Sequence, residues 1–230
     1  MGRVDDEVVR GQDAERLPSG RHRLSRSYVA SNQRGRILQA VIEVVGATGY
    51  GHFTIDAIVT RSAISKKTFY EHFRNKDEAF LAAYDSVTAR LIEGVSAAMD
   101  EHESPKARMC AGLRALLVFL AAEPLAARMC VVEVLAAGRE AIERRDRVKA
   151  YFSEMIITHL RALRPGCPEP GLTAEVIVGG VHEVLYSRIS RDETHVLPGL
   201  ERGLVGMFVL PKPPGEDHQD EAAPSAPPKA

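Results

Sequence analysis

The residues best placed to do chemistry are Ser65, Lys66, Lys67 and Thr68, followed at short spacing by Tyr70, His72 and Lys76. Hydroxyl, ammonium and imidazole groups in such a row are hydrogen-bond donors to anionic and carbonyl oxygens. Lysines at the start of a short helix can reach guanine O6 and N7 or phosphate oxygens, and the donors behind them can hold phosphates. Thr54, eleven residues before Ser65, stands at the head of another short apolar pattern and completes the set. A solvated, lysine-bearing helical hairpin would show the same residue types, so the spacing of the surrounding apolar residues decides between the two.

No catalytic constellation competes with this one. The chain has no GxSxG, HExxH, phosphate loop or dinucleotide fingerprint, and Cys110, Cys130 and Cys167 form no CxxC pair. Neither an enzyme, a cofactor, a metal site nor a disulfide framework is therefore expected. The 230 residues carry a net charge of -1, which by itself argues against a nucleic-acid partner. The distribution reverses that argument, because residues 21–90 hold 11 basic and 6 acidic side chains while the segments on either side are acidic. Positive charge confined to one block is the pattern of a polyanion-binding domain attached to something else. The longest apolar run, Ala115 to Ala122, is far below the ~20 residues of a membrane span, and the first residues are charged where a signal peptide is apolar. A cytoplasmic protein with no membrane partner is expected.

Helical periodicity positions these residues. Ile37, Leu38, Val41, Ile42 and Val45 mark one face of a helix closed by Gly49, and Thr54 can cap a short helix bearing Ile55, Ile58 and Val59. Ser65 can cap the next, with Phe69 and Phe73 on one face, and Asn75 to Glu78 open a longer helix through Phe80, Leu81, Tyr84, Val87 and Leu91. Two short helices joined by a tight turn, with the second exposing its polar N-terminus, make a helix-turn-helix whose second helix can lie in a major groove. Further helices are expected near 105–122, 124–136, 138–163, 172–190 and 198–209. The chain thus divides into a tail over 1–25, a reading domain over 26–80, a helical domain over 81–210 and a Pro-rich tail over 211–230, both tails expected to be disordered.

The segment from Arg34 to Glu78 resembles the DNA-binding domain of the TetR/AcrR family of transcriptional regulators. The resemblance is carried by Gly49 with Phe53-Thr54-Ile55, and by Ile64-Ser65-x-x-Thr68-Phe69-Tyr70-x-His72-Phe73-x-x-Lys76-x-Glu78. It departs from the family pattern at Ala63, where a turn glycine is frequent, and at Lys67, where a small residue is frequent. The resemblance implies an all-α fold, with an N-terminal three-helix helix-turn-helix domain and a larger helical ligand-binding and dimerisation domain. It also implies phosphate contacts for Thr54, Tyr70, His72 and Lys76, base-edge contacts for Ser65, Lys66, Lys67 and Thr68, and double-stranded DNA with a palindromic operator as partner. Arg21, Arg23, Arg26, Arg34 and Arg36 form either a minor-groove arm or a solubilising tail.

The remainder is apolar. A cavity among its helices would suit a small hydrophobic ligand, with Arg114, Leu117, Met129, Phe152, Met155, His159, His182 and Tyr186 as candidate contacts. Gly179, Gly180, Gly203 and Gly206, set among Val, Ile and Leu, suggest a close helix–helix approach, and the family's pairing mode makes that a homodimer interface. The expected function is a ligand-released, DNA-binding transcriptional repressor. A non-catalytic small-molecule carrier or sequestering protein of the same fold is the alternative.

Overall fold

The computed structural model describes residues 26–209, and the expected tails, with Arg21 and Arg23, lie outside the described residues. Helix α1 runs over Arg26–Thr48 and stops at Gly49, whose φ of 81° lets the chain turn where a Cβ would be strained. A short 3₁₀ turn, Tyr50–His52, leads to α2, Ile55–Ser62, and then to α3, Lys66–His72. Local caps start α2, α3 and the helix that follows as the residue types dictate. The side-chain oxygens of Thr54, Ser65 and Asn75 accept from the backbone N–H groups of Ala57 at 3.2 Å, Thr68 at 3.0 Å and Glu78 at 2.8 Å. The last of these opens α4, Lys76–Asp100, which is continuous across the expected domain boundary.

Pro105 occupies the first turn of α5, Pro105–Ala122, behind the Ser104 cap, and Pro124 opens α6, Pro124–Val131. The helix expected over 124–136 breaks at Val132 and finishes as a 3₁₀ turn over Glu133–Ala136. Helix α7 spans Arg139–Leu163 and α8 spans Pro170–Ile189. In place of one helix over 198–209 the chain forms a 3₁₀ segment, Thr194–Leu200, a single α turn, α9, over Glu201–Leu204, and a π turn over Val205–Val209. Pro198 and three glycines in twelve residues leave that stretch too little helix propensity for a regular helix. No strand occurs among the described residues, so the expected all-α class holds.

The reading domain does not have a core of its own. Ile37, Val41, Val45, Phe53, Ile58, Phe69 and Phe80 are fully buried or nearly so, and Met129 and Val134 from the second domain belong to the same apolar cluster. Tyr50 stacks edge-on against Phe80 with ring centroids 5.1 Å apart. Helices α1 and α6 meet at Gly46, where a Cβ would lie 2.5 Å from the Leu125 carbonyl oxygen. Only glycine permits that approach. A second cluster, built on Leu117, Leu120, Ala127, Leu185, Ile189 and Leu197, ties α5, α6 and α8 to the 3₁₀ segment after α8.

Candidate functional site

The turn between α2 and α3 sets the pose of the candidate reading helix. Ala63 takes a left-handed conformation, φ 50° and ψ 46°, the role a glycine would fill without steric cost. The Arg36 guanidinium holds it there, donating to the Ser62 carbonyl and, at 3.0 Å, to the Ala63 carbonyl. Arg34 lies over the Phe73 ring at 4.5 Å. Arg34 and Arg36 thus fasten α1 to the motif and are not part of a loose arm.

Around this turn most of the candidate DNA contacts are exposed. Ser65, Lys66, Lys67 and Tyr70 are exposed, and Thr68 is half-buried with its hydroxyl 2.9 Å from that of Ser65. Lys66 pairs with Asp56 of α2 at 2.6 Å, which raises the lysine's pKa, whereas Lys67 makes no hydrogen bond or ion pair. Thr54 is exposed beside its cap, and His72 Nε2 lies 3.4 Å from Gln33 Oε1. Lys76 is more committed than its sequence position implies. Its ammonium donates to the Phe53 carbonyl at 3.0 Å and sits over the Tyr50 and Phe53 rings, leaving two of its three donors for an outside acceptor.

The second domain holds a partly open apolar cavity of about 170 Å³ between α4, α5, α6, α7 and α8. Phe152, Met155, His159 and His182 line it, as their sequence positions suggest. Four other candidates do not. Leu117 is fully buried in the α5–α8 cluster, and Tyr186 packs against the same cluster. Met129 is buried under α1, and Arg114 points to the surface, where it forms a two-pronged ion pair with Glu201 at 2.8 Å. The helix period places these residues on apolar helices correctly but does not say which side faces the cavity and which faces a neighbouring helix.

Sequence reasoning missed Arg145 and Lys149, cations one helical turn apart on α7 that line the same cavity. It also missed Tyr84, Thr88 and Cys130, the polar groups on its α4 and α6 walls. Only the i, i+4 spacing around Val148 and Phe152 hinted at them. Burial holds the His182 pKa below the usual histidine value, and the nearby Lys149 and Arg145 cations lower it further. Burial likewise pushes the Cys130 thiol pKa up, which removes the thiolate a redox switch would need.

Both domains touch at more than the shared core. Glu133 Oε2, after α6, accepts from the Tyr50 backbone N–H at 2.9 Å, and Arg128 links Glu133, at 3.4 Å, to Asp192 beyond α8, at 2.9 Å. The candidate dimer glycines are uncrowded within the chain, since a Cβ at Gly179, Gly203 or Gly206 would meet nothing within 4 Å, and Gly180 is half-buried. On the same stretch of α8, Leu172 and Val176 are 60% and 57% exposed.

These features define a helix-turn-helix domain continued through α4 into a helical domain with a partly open apolar cavity. Residues 37–83 match the family model described as bacterial regulatory proteins of the tetR family. That span covers part of α1, all of α2 and α3 and the first turns of α4, so the helix-turn-helix domain is of the tetR type. The chain is 30% identical over 106 residues to the HTH-type transcriptional activator FasR of Mycolicibacterium smegmatis, covering 46% of this chain and about half, 48%, of that protein. In fold it is similar to the fatty acid degradation regulator FadR of Bacillus halodurans, with a TM-score of 0.70, 17% identity and coverage of 81% of this chain and 97% of that one. The regulator FadR of Bacillus subtilis, solved in complex with stearoyl-CoA, gives 0.68 at 16% identity, over 76% and 97% of the two chains. Among the described residues no single helix is long and apolar enough to cross a membrane.

Proposed function

We propose that the protein is a homodimeric repressor that binds a palindromic operator through α3 and is released when a long-chain acyl ligand fills the α4–α8 cavity. The observation that carries this reading is that cavity and reading head share structural members. Tyr84, Thr88, Leu91 and Val95 line the cavity from α4, the helix whose Ala79 and Phe80 share one core with Phe69 of α3. Cys130 and Val131 line it from α6, which rests on α1 at Gly46. A ligand that displaces either helix must therefore move the reading head.

Lys67, exposed and unpaired, is the side chain best placed to read a guanine, with Lys66, Ser65 and Thr68 beside it. Thr54, Tyr70, His72 and the spare donors of Lys76 serve the phosphates. The apolar wall favours a lipid-like ligand, and the stearoyl-CoA complex of the Bacillus subtilis relative supports an acyl chain. Nothing in this reading calls for turnover. The uncrowded glycines of α8 and the exposed Leu172 and Val176 beside them favour pairing through α8, which would place two reading heads on a symmetric site.

The experiment that separates a regulator from a carrier is selection of a palindromic DNA from random sequence, followed by binding across a salt series. Lys67→Ala should cost ~1–3 kcal/mol on the selected site and less on random DNA. Equal losses on both would assign Lys67 to the backbone. A ligand-binding protein that selects no DNA would be the carrier.

A further inference from the structure

Resting on the ligand reading above, the layout of charge along the cavity says how an occupant would lie. Helices α4 and α7 run alongside each other from the reading domain outward, with Arg144 paired to Asp85 near the start and Ser96 3.4 Å from Tyr151 further on. Helix α8 returns in the opposite direction. At the end nearer the reading domain the lining includes Tyr84, Thr88, Arg145, Lys149 and His182. At the far end it is Val95, Met99, Met109, Met155, Ile156 and Ile177, with His159 already turned to its own helix through Nδ1, 2.8 Å from the Met155 carbonyl. The lining residues that carry polar groups thus gather toward one end of a cavity whose wall is otherwise almost wholly apolar.

We propose that Arg145, Lys149 and His182 form a subsite for an anionic head group, so that the ligand lies head toward the reading domain and chain toward Met99 and Met109. Lys149 makes no hydrogen bond or ion pair although it is half-buried against an apolar wall. An ammonium so placed is costly unless a negative charge joins it. Arg145 is held by Asp146, its neighbour in sequence, at 2.7 Å through one carboxylate oxygen, and retains guanidinium donors for a second acceptor. The neutral His182 imidazole can donate, and the Tyr84 hydroxyl makes no hydrogen bond and is available as a further donor. The carboxylates that act on this end are Asp146, which is exposed, and Glu183, the next residue along α8 from His182, with Asp85 beside Tyr84 and paired to Arg144. None of the three lines the cavity. A carboxylate and a phosphate share the chemistry this cluster recognises, so a free fatty acid and an acyl-CoA are the two possible sources of the anion.

The test is calorimetric binding of dodecanoate, dodecanoyl-CoA and dodecanol to the full chain. The anions should bind at least tenfold more tightly than the alcohol, the stronger of the two naming the source. Combined Arg145→Met and Lys149→Met substitution should erase that difference while leaving dodecanol binding within twofold, which also shows that the variant is folded. Dodecanoate carrying a diazirine at its terminal carbon should label peptides containing Met99, Met109 or Met155. Equal affinity for alcohol and anions, or labelling at Tyr84 and Cys130, would overturn the subsite while leaving the cavity as a ligand site. Binding of none of the three would remove the ligand reading itself.

Discussion

Ala63 is the residue at which this chain departs most from what its local conformation asks for. An alanine in the left-handed region is strained by ~1–2 kcal/mol, part of which a glycine would give back through its freer unfolded chain. Ala63→Gly should therefore raise unfolding stability by roughly 0.5–1 kcal/mol without moving α3. Urea unfolding monitored by circular dichroism reads this directly, and a lower midpoint would mean that the Arg36 contacts depend on the alanine. The caps Thr54, Ser65 and Asn75 were legible in sequence because a cap is decided within three residues of chain. The commitment of Lys76 to the Phe53 carbonyl was not, since it joins residues 23 positions apart. Arg145 and Lys149 were barely legible for a similar reason: on an otherwise polar α7, little beyond the spacing around Val148 and Phe152 tells an inward cation from an outward one.

At the scale of elements, α4 and α6 connect the two halves, and the Gly46 contact is where α6 meets the reading domain. Replacing Gly46 by Val should push α6 from α1, because its β-branched side chain would meet the Leu125 backbone and not a yielding side chain. The expected result is a loss of ~1–3 kcal/mol in stability, together with weakened DNA binding that ligand no longer changes. Unaltered thermal unfolding and an intact ligand response in Gly46→Val would show that α6 does not carry the coupling. Helix existence and order followed from the apolar period throughout. The two places where the expected helices failed, Val132 and the stretch after Pro198, are those where Pro, Gly or a neighbouring element overrides propensity. The 3₁₀ turn at Glu133–Ala136 is the more telling of the two, because its Glu133 is drawn to the Tyr50 N–H, a tertiary contact no periodicity contains.

For the whole molecule, a reading head that recognises a palindrome requires a second copy held by a two-fold axis. The exposed apolar face of α8 is the proposed seat of that pairing. Val176→Asp, a charge placed at the centre of the face and away from both the cavity lining and α3, should yield monomers in sedimentation and reduce operator affinity at least tenfold. A variant that sediments as an intact dimer would place the interface elsewhere. The division of labour between a basic N-terminal block and an apolar C-terminal one was already visible in the charge distribution. What sequence could not convey is how little separates them: α4 runs through both, and Met129 and Val134 complete the core beneath the reading helix.

That continuity makes the central claim open to one measurement. Fluorescence anisotropy of a selected palindromic DNA should be recorded with and without saturating dodecanoyl-CoA, for the natural chain and for Leu116→Trp, whose indole would occupy the cavity. If ligand favours the non-binding arrangement by ~2–3 kcal/mol, the natural chain should lose 30- to 150-fold in affinity, while the Trp variant should bind DNA with little response to ligand. Equal DNA affinity of the natural chain with and without ligand, with ligand binding demonstrated in the same solution, would contradict the account.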